Sequence, residues 1–133
     1  MVVLGASAKT DRYSYKALKL IVEKGHVAYP VNPGLDEIEG VKVYHSLQDI
    51  KEKIDVLTVY LSPEKSSAMA DEIISASPAG VIFNPGAENE ELCQRLRENG
   101  TRTLDACTIV MLVGGEFDKW GKLMNSGNTD RKV

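Results

Sequence analysis

Short apolar runs alternate with amphipathic segments along most of the chain. Val2-Val3-Leu4 is a continuous apolar run, which is typical of a strand buried on both faces. Residues 13–24 follow with apolar side chains at helical spacing, and Gly25 ends that segment. The same alternation continues downstream, so the pattern predicts four further strands, at residues 27–31, 55–61, 80–83 and 101–104.

Helix signals stand between these strands. Ser62-Pro63-Glu64 combines a capping hydroxyl, a proline at the first helical position and an acid in the first turn. A further helix is predicted from about Glu88, and Ser46 is a candidate cap for a short one. Residues 41–44 are an extension or an edge strand, and the periodicity of residues 108–113 does not decide between strand and helix.

Strands separated by helices of about ten residues imply right-handed crossovers and a parallel sheet. We therefore predict an α/β fold, a doubly wound parallel sheet of about five strands in three α/β/α layers, which is Rossmann-like. The predicted strand order is 3-2-1-4-5, with residues 55–61 as the third strand. Residues 1–114 form the domain, and residues 115–133 are a polar tail in which Trp120 and its apolar neighbours favour a docked helix.

Length and composition narrow the function classes. A chain of 133 residues fits one domain, and no apolar run approaches the roughly 20 residues of a membrane helix. Met1 leads directly into the first strand without a signal sequence, and Cys93 and Cys107 form no metal-like cluster, so we expect a reduced, cytoplasmic protein. The net charge of −3 argues against a nucleic-acid partner.

Positive charge is concentrated near the first strand. Residues 1–25 carry five basic and two acidic groups, a balance of +3, so the rest of the chain carries −6. Such a patch favours a small anionic ligand, although a chance excess on a solvated helix face would look the same.

The loop after the first strand is the leading candidate for ligand binding. Gly5 permits close backbone approach, Ala6 and Ser7 are small, and the helix beginning near Tyr13 offers free amides and a positive dipole end. With Lys9 and Arg12 added, the loop predicts a cradle for a diphosphate; the plainer alternative is a tight strand-to-helix turn.

The loop is not the dinucleotide fingerprint. Ser7 and Thr10 stand where GxGxxG requires glycines, and Asn32-Pro33 stands where an NAD site places an acid for the ribose. An ordinary NAD-dependent enzyme is therefore disfavoured.

Two other strand ends contribute candidates. Asn32 offers an amide to a base, ribose or phosphate, or it closes a turn onto its own backbone. Leu61 and Ser62 open the next helix at the same edge of the sheet, where Ser62 contacts a ligand or only caps the helix.

Several motifs, taken in order, resemble the small stand-alone CoA-binding domain proteins, whose fold is similar to the nucleotide-binding domain of the succinyl-CoA synthetase alpha subunit. The resemblance covers about residues 2–113. It is carried by Gly5-Ala6-Ser7, Arg12-Tyr13-Ser14-Tyr15, Gly25-His26, Pro30-Val31-Asn32-Pro33, Ile38-Glu39-Gly40, Asn84-Pro85-Gly86-Ala87-Glu88-Asn89 and Cys107.

The resemblance implies coenzyme A as the cofactor. The Gly5-Ala6-Ser7 loop and the amides of Ser14 and Tyr15 would hold its diphosphate, with Lys9 and Arg12 neutralising its phosphates, including the one on the ribose. Asn32-Pro33 and Leu61-Ser62 would flank the adenosine, and the pantetheine arm would run toward Asn84, Gly86 and Cys107. Two departures stand out: Gly34 replaces a basic residue found in many members, and Asn84 replaces a glutamine found in many members.

The residues show no catalytic constellation, so the first hypothesis is a CoA-binding protein without chemistry of its own. The second is a redox or acyl-transfer enzyme of NAD(P) or CoA type using Cys107, which could form a mixed disulfide with a CoA thiol or serve as a small apolar residue. The third is an interaction protein with a vestigial nucleotide site. His26 and His45 are assigned no role, and a homodimer is an open alternative for the partners.

Overall fold

The computed structural model describes residues 1–115, which form a five-stranded parallel sheet between two layers of helices. The sheet order is β2-β1-β5-β6-β7, and a separate antiparallel hairpin joins β3 to β4. The strands are β1 (Val2–Leu4), β2 (Tyr29–Val31), β3 (Glu37–Ile38), β4 (Val41–Lys42), β5 (Val56–Val59), β6 (Gly80–Phe83) and β7 (Arg102–Asp105).

Residues 1–115 contain five α-helices and one 3-10 turn. The helices are α1 (Tyr13–Glu23), α2 (Pro63–Ala68), α3 (Ala70–Ser75), α4 (Glu90–Glu98) and α5 (Thr108–Gly114), and the 3-10 turn spans Leu47–Asp49. The α/β prediction is thereby confirmed, and the undecided segment at residues 108–113 is a helix.

The predicted strand order is wrong at one place. Residues 55–61 were expected outside β2, whereas β5 pairs with β1 on one side and β6 on the other. All four residues of β5 are buried, so its apolar side chains require the centre of the sheet rather than an edge. The position outside β2 is held by a single parallel bridge between Val31 and Tyr44.

Alternation along the strands divides the core into two layers. Val2 and Leu4 of β1 pack on the side of α3 and α4, and Val3 packs on the side of α1 and α5. The residues Leu57, Val59, Val81, Phe83, Ile73, Leu92 and Leu96 belong to the first layer, and Leu18, Ile21, Ile82, Met111 and Leu112 to the second. Both faces of the sheet are therefore covered, as a parallel sheet requires.

The helix predicted after residue 62 is two helices. Ser62 is the cap, since its side chain accepts a hydrogen bond from the Lys65 amide at 3.4 Å. The chain breaks at Met69, which ends α2 and precedes α3. Ser46 occupies the predicted N-cap position of the 3-10 turn, but its side chain makes no capping hydrogen bond.

Membrane spans, the C-terminal tail and the cellular setting are the remaining predictions about the chain as a whole. None of the helices described in residues 1–115 has the length and apolar character needed to cross a bilayer. The expected docking of the tail through Trp120 lies outside the described residues, and the cytoplasmic setting and the homodimer stay predictions.

One buried asparagine joins α2 to α4. The Asn89 amide nitrogen lies 3.1 Å from the Pro63 carbonyl, 2.8 Å from Ser66 Oγ and 2.9 Å from Ser67 Oγ. Its Oδ1 accepts from the Leu92 amide at 3.1 Å and so caps α4. The two helices are thus locked at the edge of the sheet where the strands end.

We expect Asn89→Ala to lower the free energy of unfolding by about 2–3 kcal/mol, because it removes a cap and leaves buried groups without partners. Asn99→Ala is the matched control, since the exposed Asn99 bonds only the Arg95 carbonyl of its own helix, and it should change stability by at most about 0.5 kcal/mol. Urea denaturation measures both. Equal losses in the two variants would contradict the joint assigned to Asn89.

Candidate functional site

A cleft of about 1100 Å³ opens at the carboxyl ends of β1, β2, β5 and β6. The chain leaving β1 enters α1 on one face of the sheet, and the chain leaving β5 enters α2 on the other. The two loops diverge there and leave a crevice, the usual ligand position in a doubly wound sheet. The lining residues that matter below are Gly5, Ser7, Lys9, Arg12, Ser14, Asn32, Pro33, His45, Ser46, Tyr60, Leu61, Ser62, Lys65, Met69, Glu72, Asn84 and Gly86.

Gly5 is required by the geometry of the first loop. Its φ of +89° lies in the left-handed region, and a Cβ there would lie 2.9 Å from Leu61 Cδ2 and 3.3 Å from the Tyr60 carbonyl carbon. The amides of Gly5 and Ala6 both bond the Val31 carbonyl, at 3.3 and 3.1 Å. The loop is therefore pinned against β2 and against the loop after β5.

The beginning of α1 presents unused donors to the cleft. Arg12 is the N-cap residue and makes no side-chain capping bond, and the first turn contains no acid. The first three amides of a helix lack acceptors within the helix, and those at Tyr13, Ser14 and Tyr15 make no other backbone hydrogen bond within residues 1–115. They are available to an anion at the start of α1, where Tyr13 and Ser14 line the cleft.

Two cations stand beside these amides. Lys9 and Arg12 are exposed at the cleft, and neither forms an ion pair with any residue in the described part of the chain. Ser7 shapes the loop, since its Oγ accepts from the Lys9 amide at 3.1 Å. This corner of the cleft is positively charged and rich in donors.

Asn32 ties the second loop to the first. Its amide nitrogen donates to the Ala6 carbonyl at 2.8 Å, and its Oδ1 accepts from the Gly34 amide at 2.7 Å. The second bond is the turn closure left open by the sequence. Asn32 and Pro33 line the cleft as predicted, but the Asn32 side chain is engaged in holding both loops.

Asn84 has a similar structural task at the other end. It is 3% exposed, and its amide nitrogen donates to Thr58 Oγ1 at 2.6 Å and to the Val59 carbonyl at 2.9 Å. Its Oδ1 accepts from the Thr108 amide at 2.9 Å, which fixes the start of α5. The asparagine therefore joins β5, β6 and α5 beneath the cleft.

Tyr60 forms part of the cleft wall. Its hydroxyl is buried without a partner in hydrogen-bond geometry among the described residues, although the hydroxyls of Thr58 and Thr108 lie near it. Burial raises the pKa of Tyr60 to about 12, so this side chain is neutral and contributes shape rather than charge.

Two predicted site residues lie away from the cleft, whereas all the others line it. The Tyr15 side chain points from α1 into the core, where its hydroxyl bonds Glu39, a contact that raises the pKa of the phenol. Cys107 is half-buried where α5 begins and is not among the lining residues. Cys93 is in the core, and burial raises the pKa of its thiol.

Sequence reasoning missed several lining residues. His45 and Ser46 reach the cleft because Tyr44 bridges Val31, which places the end of that segment level with the end of β2. Reading residues 41–44 as a strand would have placed the two at this edge. Lys65, Met69 and Glu72 also line the cleft, and their spacing of four and three residues is a helical signal.

The pairing of Gly5 with Leu61 can be tested against a second glycine. Gly86 also has a positive φ, of +91°, but a Cβ there would meet nothing within 4 Å. We expect Gly86→Ala to cost about 1–2 kcal/mol through its backbone conformation alone, and Gly5→Ala to cost clearly more in urea unfolding because of the clash. Adding Leu61→Ala to Gly5→Ala should recover part of that difference. Equal costs for the two glycines would contradict the close approach.

Comparisons with known proteins identify the family and the relatives of this chain. The family model described as a CoA binding domain matches residues 1–113. The uncharacterized protein YneT of Bacillus subtilis (strain 168) is 34% identical over 111 residues, which are 83% of this chain and 82% of that protein. A crystal structure of an uncharacterized protein has a TM-score of 0.76 at 37% identity, covering 86% of this chain and 93% of that one.

A larger enzyme contains a related segment. The alpha subunit of an ADP-forming acetate–CoA ligase II of Pyrococcus furiosus is 35% identical over 66 residues. These are 49% of this chain but 14% of that protein, so the likeness covers a small part of the ligase. On the match of the family model to residues 1–113, the chain belongs to the CoA-binding domain family.

Proposed function

We propose that the protein binds CoA or an acyl-CoA in the cleft at the carboxyl edge of its sheet and catalyses no reaction there. The observation that carries the proposal is the corner where Gly5, the amides at the start of α1 and the side chains of Lys9 and Arg12 meet, two cations that form no ion pair within residues 1–115. A diphosphate needs this combination of close backbone approach, donors and positive charge.

The diphosphate of the ligand is assigned to the start of α1. The amides of Gly5 and Ala6 are already bonded to Val31, so they are not available to it. The amides at positions 13–15 and the cations of Lys9 and Arg12 are the groups left to bind the phosphates. Gly5 contributes by the absence of a side chain.

The remaining parts of CoA are assigned to the two arms of the cleft. Asn32-Pro33 and Leu61-Ser62 flank the adenosine, and the pantetheine arm runs toward Asn84 and Gly86. Ala68 and Met69 of the α2–α3 segment form an apolar wall of the cleft beside the pantetheine arm. Since Cys107 does not line the cleft, a mixed disulfide between Cys107 and the thiol of CoA is not part of the proposal.

The absence of a catalytic role is inferred from what faces the cleft. The acid–base pair formed by His45 and Asp36 makes no hydrogen bond to a serine, threonine or cysteine of residues 1–115. Neither cysteine lines the cleft, so a CoA-dependent enzyme acting through Cys107 lacks a nucleophile at the ligand. An NAD(P)-type enzyme and an interaction protein with a vestigial nucleotide site both predict a different ligand profile from the one given next.

We expect titration calorimetry to show CoA binding with a micromolar Kd, weaker binding of ADP, and no binding of NADH or NADPH. Arg12→Ala should weaken CoA binding about five- to tenfold, because it removes a charge-assisted contact at an exposed corner. Arg97→Ala is the matched control and should leave the Kd unchanged, since Arg97 pairs with Glu90 on α4. An unchanged Kd for Arg12→Ala would contradict the assigned phosphate role, and preferred binding of NADH would overturn the proposed function.

A further inference from the structure

His45 is a cleft residue that the function proposed above does not use. Backbone bonds hold its segment beside β2: the Tyr44 amide donates to the Pro30 carbonyl at 2.8 Å, and the Asn32 amide donates to the Tyr44 carbonyl at 2.9 Å. His45 and Ser46 follow directly and line the cleft at the end of β2. Their position is therefore set by the sheet and not by a free loop.

Asp36 holds the imidazole of His45 by one nitrogen. Nε2 lies 2.9 Å from Asp36 Oδ1, and the Val43 amide bonds the Asp36 carbonyl at 2.9 Å, which keeps the acid beside the hairpin. A carboxylate only accepts hydrogen bonds, so Nε2 carries the hydrogen in this pair. Nδ1 makes no hydrogen bond to any of the residues that the structure describes.

The free nitrogen suits an anionic oxygen. In the protonated ring Nδ1 carries a hydrogen as well, so the ring donates at both ends and its positive charge lies between two anions. The Asn32 side chain at this end of the cleft is already bonded to Ala6 and Gly34. His45 and Ser46 line the same end, and Nδ1 of His45 has no hydrogen-bond partner among the described residues.

The position of His45 selects one part of the ligand. Tyr44 lies one strand beyond β2 and two beyond β1. His45 is therefore roughly 10 Å from the loop after β1, at a strand spacing of about 4.8 Å. CoA carries its diphosphate on one side of the ribose and a phosphate monoester on the ribose itself. A second polar position in the cleft, separate from Lys9 and Arg12, matches that second phosphate.

We propose that His45 binds the phosphate monoester on the ribose of CoA, with Asp36 positioning the ring. This inference rests on the proposed function and deepens it, because it makes His45 the residue that distinguishes CoA from dephospho-CoA. The side chain of His45 is 55% exposed, so it can be replaced without disturbing the core.

The test is calorimetric titration of the whole chain with CoA and with dephospho-CoA, which lacks the monoester. We expect wild type to prefer CoA about tenfold, and His45→Gln to weaken CoA binding about five- to tenfold while changing dephospho-CoA binding by less than about twofold. His26→Gln is the matched control and should change neither Kd, because His26 precedes β2 at the opposite edge of the sheet and does not line the cleft.

The other outcomes separate the two proposals. If His45→Gln weakens both ligands equally, or weakens neither, the protein binds CoA but the role given to His45 is wrong. If wild type binds neither ligand, the proposed function fails and this inference fails with it. Thermal unfolding of each variant confirms that the comparison is made between folded proteins.

Discussion

The close approach of the loops after β1 and β5 is the constraint on which the site depends. These neighbouring strands send the chain to opposite faces of the sheet, so their loops part at one point and leave the cleft between them. Because Gly5 has no side chain, the first loop can pass close to Leu61. The positive φ of Gly5 is a backbone conformation that other residues rarely adopt. The start of α1, with its free amides, is placed at the cleft by this turn.

Three asparagine side chains hold the loops and helices around the cleft together. Asn32 fastens the first loop to the second, Asn84 fastens β6 to β5 and α5, and Asn89 fastens α2 to α4. Each one uses its amide for bonds within the protein, which buried polar groups require. The groups left for the anion that we propose are therefore the backbone amides at the start of α1 and the side chains of Lys9 and Arg12.

Most helices and strands could be predicted from the local sequence pattern, whereas the order of the strands in the sheet could not. Apolar runs and helix caps place β1, α1 and the start of α2 correctly, but periodicity carries no information on which strand lies beside which. The central place of β5 follows from packing on both its faces. In the site, the turn at Gly5 and the nearby Lys9 and Arg12 were predictable from the sequence. His45 was not, because it reaches the cleft through the single bridge between Tyr44 and Val31. The prediction that Cys107 faces the cleft was wrong.

The most direct test of the account is an NMR titration of the ¹⁵N-labelled protein with CoA. The account predicts the largest amide shifts at residues 13–15, where free donors meet the diphosphate, and smaller ones at Asn32, Gly34, Leu61 and Ser62. The amides around Arg97, at the far end of α4, should stay unchanged. Saturable shifts that leave residues 13–15 unaffected would contradict the central claim that the start of α1 holds the ligand.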